Sequence, residues 1–289
     1  MKVVHQMVVA MKRILFAALF ALASAGCQKP TEVQLVNDQP VLDVEVVDEP
    51  DTTIDRAAVD TTALLPRDQQ KYNGFVMLSA IKSDWGDGIR SIVLAKVVVE
   101  NRNQPIIFNR RKIFYGLPLG TVNVNGDVMV PRIRRIGNLS AGFEYLREIS
   151  NHAPRKMYRF VLDSLNATSF AIQAPENLTV QVPLGGARVA RNRNLDLRWT
   201  GQGDLFMIIS ALRASIAGEM QSVPLLRVHA KKNTGSAVLR KEFLSQLPPG
   251  AYTLTFVLAN REELNTAGRL PAKVLVQASS IYNVVICLL

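Results

Sequence analysis

The sequence predicts an all-β protein made of two successive sandwich-type domains behind a secretion signal and an acidic segment. Three observations predict it. Val, Ile and Leu recur in short runs, with 48% of residues hydrophobic but only 7% aromatic, a pattern that suits half-buried strands better than long helices. Val122-Asn123-Val124-Asn125-Gly126-Asp127-Val128-Met129-Val130 sets Asn-Gly between two alternating runs, and both turn positions of such a hairpin require positive φ. Asn194-Leu195-Asp196-Leu197-Arg198-Trp199-Thr200-Gly201 alternates strictly, placing Leu195, Leu197 and Trp199 on a core face and Asp196 and Arg198 in solvent.

The chain opens with its signal, residues 1–26. Met11-Lys12-Arg13 is followed by the apolar run from Ile14 to Ala23 and then by Ser24-Ala25-Gly26-Cys27. A basic start, an apolar core of about ten residues and small residues before a cut site make a secretory signal; a membrane-spanning helix needs roughly 20 apolar residues. Residues 1–10 precede this arrangement and read either as an extended basic region or as residues upstream of a start at Met11. The pattern resembles bacterial lipoprotein signal peptides, whose lipobox ends in small residues and a cysteine. Ala25, Gly26 and Cys27 fit that box, and Ser24 stands where Leu is usual. The resemblance implies diacylation of Cys27, cleavage before it, N-acylation of the new terminus and stable membrane anchoring through several acyl chains. Gln28 stands where Asp would imply retention in the inner membrane, so the same resemblance implies the outer membrane. With only two cysteines, Cys27 and Cys287, and the first acylated, the fold is expected to stand without an intramolecular disulfide, which a domain of about 100 residues can do.

Residues 27–70 are rich in Asp, Glu, Thr and Pro. Nine acids fall between residues 31 and 60 against Arg56 alone, and a like-charged polar segment stays extended, as a tether would. Within it Val41-Leu42-Asp43-Val44-Glu45-Val46-Val47 alternates, so this stretch reads either as tether or as a first strand paired into the body. From residue 61 onward stand 29 of the 34 basic and 15 of the 24 acidic side chains, a net of +14. An acidic tether carries a basic body.

Residues 71–174 read as strands from Phe75 to Ile81, Ser91 to Glu100, Pro105 to Asn109, Thr121 to Val124, Asp127 to Arg134, Tyr145 to Ile149, Met157 to Leu162 and Thr168 to Ile172. Phe143, Leu146 and Ile149 recur at helical spacing, which leaves Ala141 to Glu148 open to a short helix. Residues 175–289 give strands from Leu178 to Val182, Leu195 to Trp199, Leu205 to Leu212, Leu225 to His229, Ala237 to Phe243, Tyr252 to Leu258, Ala272 to Val276 and Ile281 to Ile286. Here Leu247-Pro248-Pro249-Gly250-Ala251-Tyr252 delivers a Tyr to the start of a strand just after a Pro-Gly turn, where its hydroxyl can fold back onto the backbone. With Trp199 on an earlier strand, this resembles immunoglobulin-like and fibronectin-III-like domains. The resemblance covers residues 175–289 well and residues 71–174 loosely, and implies tandem sandwiches; the cysteine pair of antibody domains is absent.

Searching for chemistry narrows the function. Beyond the signal only His152 and His229 remain, neither with a partner at metal-ligand spacing, so a zinc site or a Ser-His-Asp triad is not expected. There is no nucleophile elbow, P-loop or dinucleotide fingerprint. Asp84-Trp85-Gly86-Asp87-Gly88 has two acids near Gly but not the spacing of a calcium loop, so an Asp-Gly turn is expected, with no metal and no cofactor. Trp85 in a polar turn is a candidate contact aromatic, or else folds back onto the sheet. The arginines Arg132, Arg134, Arg135, Arg188, Arg191 and Arg193 form a candidate surface for an anionic ligand. For an exported chain, nucleic acid is excluded as partner. Lipopolysaccharide, an acidic polysaccharide or an acidic protein fits that compartment, and the expected function is a non-enzymatic binding or structural module, with a carbohydrate-binding accessory role and an enzyme with a cryptic site as the alternatives.

Overall fold

A computed structural model describes residues 43–46, 71–108, 111–136, 139–163, 168–214, 220–230, 233–266 and 272–289. The expected signal, Cys27 and most of the acidic segment lie outside the described residues. Among the described residues no helix is long and apolar enough to cross a membrane.

Strands form nearly everything described, and the all-β expectation holds. One sheet of eleven strands runs in the order β1 (Asp43–Val46), β15 (Met220–Ala230), β14 (Leu205–Ala214), β17 (Gly250–Thr266), β18 (Ala272–Leu288), β2 (Gly74–Asp84), β3 (Ile89–Phe108), β4 (Arg111–Gly116), β8 (Leu139–Glu148) and β7 (Val130–Ile136), with β12 (Ala187–Val189) beside the end of β18. Two small sheets cover it. The first has β10 (Thr168–Gln173), β9 (Met157–Leu162), β5 (Val122–Val124) and β6 (Asp127–Val128); the second has β11 (Thr179–Val182), β13 (Leu195–Thr200) and β16 (Ser236–Leu239).

Period-two alternation decides which side chains meet. Along β18, Val274, Val276 and Ala278 enter a core with Val76, Leu78, Val97, Phe160, Leu162 and Phe170. On the same face of β18, Tyr282, Val284, Ile286 and Leu288 enter a second core with Met207, Phe256, Leu197 and Trp199. Between them sits Ser280, whose hydroxyl accepts the Leu178 amide at 3.0 Å as the chain passes from one small sheet to the other. A boundary between residues 174 and 175 therefore does not divide the molecule into separable tandem units: the last strand belongs to both cores.

Local chemistry explains the elements. Asn125 and Gly126 take φ of 51° and 88° and close the β5–β6 hairpin. Leu195, Leu197 and Trp199 are buried as the alternation requires, and Tyr252 turns its hydroxyl back onto the turn before β17. Two open readings resolve as strands, and three expectations are corrected. Residues 43–46 are not tether but a strand, β1, antiparallel to β15. Asp196 is buried, although Arg198, two residues further along β13, is exposed as expected. The stretch from Ala141 to Glu148 is strand β8, held between β7 and β3. Ala237 to Phe243 is not one strand, since β16 ends at Leu239 and a one-turn helix, α1 (Lys241–Leu244), buries Leu244. The expected pairs 91–100 with 105–109, and 272–276 with 281–286, each merge into one long strand.

Candidate functional site

Strand β7 is the outermost strand at one side of the large sheet, and among the described strands it pairs only with β8. As an edge strand it leaves most of its residues in solvent. Val130, Arg132, Ile133 and Arg135 are exposed, whereas Arg134 is drawn inward. Pro131 supplies no backbone donor, and the register shifts between Ile133 and Arg135. Proline, a bulge and cations are how sheet edges resist pairing with another strand, so this edge presents side chains rather than a ladder.

Arg134 does not belong to that surface. Its guanidinium donates to Glu100 Oε1 at 2.7 Å and to the Phe114 carbonyl at 3.5 Å. Glu100 is buried and takes a second cation, Arg102, at 3.2 Å on Oε2. Arg102 in turn lies 4.3 Å over the Phe114 ring. Burial pulls the Arg102 pKa down, the Glu100 charge opposes that, and the Arg134 charge adds to it. A buried carboxylate needs such compensation. Glu100 closes the run Val97-Val98-Val99; an acid ending an apolar run was the one sequence signal of this network. Arg132 stands opposite Glu144 in register, and Glu144 already pairs with Lys96 at 2.7 Å.

The second set of arginines lies elsewhere. Arg188, on β12, is opposite Cys287, whereas Pro131 is level through Tyr145, Val97 and Val76 with Val276 of the same strand. At about 3.3 Å per residue the two levels are roughly 35 Å apart. The six arginines therefore do not form one surface. Arg191 is a clamp: it donates to the Leu289 carbonyl at 3.2 Å and the Leu247 carbonyl at 2.8 Å, tying the end of β18 to the segment after α1. Arg188 and Arg193 are exposed.

Trp85 occupies the turn from β2 to β3 and is 51% exposed, so it does not fold back onto the sheet. Asp84 holds this turn, accepting the Gly86 amide at 3.0 Å and the Gly185 amide at 2.9 Å. The contact is close enough that a Cβ on Gly185 would meet Asp84 Oδ1 at 2.2 Å. Leu184, beside it, is also exposed, and the chain continues from Gly186 into β12 and Arg188. This end of the molecule thus joins an aromatic, an aliphatic and a cation on a braced pair of turns.

Protein-family models, curated proteins and solved structures alike show no match to this chain. What it binds must be read from its own side chains. His152 is engaged within the body: its Nδ1 lies 3.0 Å from the Tyr158 hydroxyl, and the rings stack. Burial first, then the charges of Lys156 and Lys82, hold its pKa below the ordinary histidine value. Among the described residues no group of three or more His, Cys, Asp or Glu converges.

Proposed function

We propose that the protein is a lipid-anchored, non-enzymatic binding module of a bacterial cell envelope, held at the outer membrane through Cys27 and offering its basic body to an anionic partner. The observation that carries the binding surface is the separation of roles on β7: Arg134 neutralises Glu100, while Arg132 and Arg135 face solvent beside exposed Val130 and Ile133. Solvated guanidinium groups can take carboxylate or phosphate bidentately, and apolar neighbours lower the local dielectric around them. Lipopolysaccharide, an acidic polysaccharide and an acidic protein share the chemistry this requires.

The test is binding of the full chain to lipopolysaccharide, an acidic polysaccharide and a neutral glycan, with Arg132 and Arg135 changed together to Ser. Binding to an anionic ligand at about 0.1 M salt should fade at about 1 M, as the Debye length falls from about 10 Å to about 3 Å, and the double change should weaken it at the lower salt. Equal binding by both proteins refutes the surface. The anchor is tested separately: labelled palmitate should enter the wild type expressed in a Gram-negative host and not the Cys27→Ser variant.

Exposed Trp85 favours a second reading, a carbohydrate-binding accessory protein, because a solvent-facing indole on a braced turn offers a flat apolar platform to a sugar ring. Binding of a neutral glycan that is lost on Trp85→Ala, and indifferent to salt, would select it.

A further inference from the structure

Three large apolar side chains stand in solvent at one end of the molecule. Trp85, in the turn from β2 to β3, is 51% exposed; Ile89, where β3 begins, is 59% exposed; and Leu184, in the turn before β12, is 65% exposed. Ile89 is opposite Asp84 in register, and directly opposed residues of an antiparallel pair share a face. From that face Asp84 reaches the Gly185 amide, so Ile89 lies on the side of the Leu184 turn.

The two turns pack backbone to backbone. A Cβ on Gly86 would lie 3.0 Å from the Gly185 carbonyl oxygen, and Asp84 ties both turns through the amides of Gly86 and Gly185. The backbone that carries the apolar trio is thus ordered before anything docks on it, which spares the entropy of ordering a loop.

Charge at this end leans positive. Lys82, Arg90 and Arg188 stand against Asp84 and Asp87, with Arg188 opposite Cys287 and so three residues past the level of Asp84. Asp84 is occupied by two amides, and Asp87 holds Arg90 at 3.2 Å. An indole beside aliphatics and cations suits the boundary between lipid headgroups and acyl chains: the indole favours that boundary, the aliphatics enter the acyl edge and the cations meet phosphates. A sugar would leave Ile89 and Leu184 idle; a bilayer uses both.

The place of β1 agrees. Asp43 is level through His229, Phe206, Val257 and Ile281 with Ile81. That level is four residues short of Trp85 and five strand spacings from it, or about 13 Å and about 24 Å. A lipid on Cys27, at most about 50 Å of chain from Asp43, leaves the tip within reach of the same bilayer. This step rests on the anchor proposed above; the composition of the tip does not.

We propose that the tip formed by Trp85, Ile89 and Leu184 inserts into the headgroup region of an anionic bilayer and sets how the body stands on it. Pro131 of β7 is level with Val76, eight residues from Asp84 and so about 26 Å away along the strands. The tip and the β7 arginines are separate surfaces with separate ligands.

Tryptophan emission tests this. The chain has two tryptophans, and Trp199 is buried in the second core, so a change on adding vesicles reports Trp85. The chain from residue 27 onward, carrying Cys27→Ser so that no acyl chain contributes, is mixed with vesicles of phosphatidylethanolamine and phosphatidylglycerol. Its emission should shift to shorter wavelength, and lipids brominated high on their acyl chains should quench it by about a third or more. Ile89→Ser combined with Leu184→Ser should lower the vesicle-bound fraction about fivefold or more in flotation, with unchanged circular dichroism. Binding without quenching is adsorption of the basic body and overturns the proposal, as does equal binding by the double variant. An emission shift with a neutral glycan and none with vesicles overturns it in favour of the sugar platform. Should the double variant not fold, quenching of the parent chain still decides. Palmitate labelling of Cys27 is read independently, so failure of the anchor and failure of the tip are told apart.

Discussion

Tyr252 donates its hydroxyl to the Pro248 carbonyl across 2.7 Å, and so fastens the start of β17 to the turn that delivers it. The ring itself is buried in the second core. Tyr252→Phe keeps that ring and removes only the bond, so we expect a loss of about 1–2 kcal/mol in urea unfolding with an unchanged m-value. No loss would show that the hydroxyl bond is replaced by water without cost.

Trp199 and Asn233 form a brace that spans several turns. The indole donates to Asn233 Oδ1 at 2.8 Å, and Asn233 Nδ2 donates to the carbonyls of Gly201 and Gly203 at 2.9 and 3.0 Å. Trp199→Ala should cost about 3–5 kcal/mol as a large-to-small core change. Asn233→Ala should cost about 2–3 kcal/mol, because each partner left without its bond pays a desolvation penalty. The two losses should add to less than their sum in a double-mutant cycle.

Two glycines with nearly the same backbone angle should respond differently to alanine. Gly142 has φ of 87°, and a Cβ there would meet the Gly116 backbone oxygen at 2.1 Å; Gly126 has φ of 88° with open space around it. Gly126→Ala should cost about 1–2 kcal/mol, the ordinary left-handed penalty. Gly142→Ala should cost more than about 3 kcal/mol, since the strands must also separate where they cross. Thermal unfolding of both variants checks the difference, and equal losses would contradict the close approach of β4 and β8.

Arg132 and Arg134 are two residues apart and should behave as opposites. Arg134→Ala leaves Glu100 buried with Arg102 alone and should cost about 2–3 kcal/mol. Arg132→Ala should stay within about 0.5 kcal/mol in stability while weakening any anionic ligand. Chemical denaturation and the binding assay on the same two proteins separate the roles.

Stability should fall on mild acidification through His152. In the neutral ring Nδ1 can accept from the Tyr158 hydroxyl, whose oxygen takes the Ala153 amide at 3.2 Å. Because the folded pKa is lowered, the unfolded chain takes up the proton first. The contribution is complete above the unfolded histidine value of about 6.5 and declines as pH falls from there through the lowered folded value. His152→Gln should show a smaller drop in urea midpoint between about pH 7.5 and about pH 5.5 than the wild type, a window above the ordinary carboxylate range. An equal drop in both would place the effect on another group.

Much of this fold could be read from the residues. Strict alternation found β13, Asn-Gly found its hairpin, and a Tyr after Pro-Gly found its turn. What could not be read was continuity. Gln277, Ala278, Ser279 and Ser280 interrupt the apolar run inside β18 with polar and small side chains, so one strand looks like two; only the partner strands show that the backbone never breaks. Nor could the arginines be sorted. Arg134 and Arg191 differ from Arg132 and Arg193 by which way the backbone turns them, and a count of charges along the chain carries no such direction.

Strand β18 has a consequence for the order of events in the birth of the protein. Its partner β2 lies 200 residues earlier, Val274 beside Gly74 and Ile281 beside Ile81, and both cores need its side chains. A polypeptide emerging from a ribosome or a secretion pore cannot close either core until residues 272–288 have come through. Long loops closed this late make folding slow. Under the proposed export across a membrane, that slowness is an asset, because the piece that locks the structure is delivered after everything it locks.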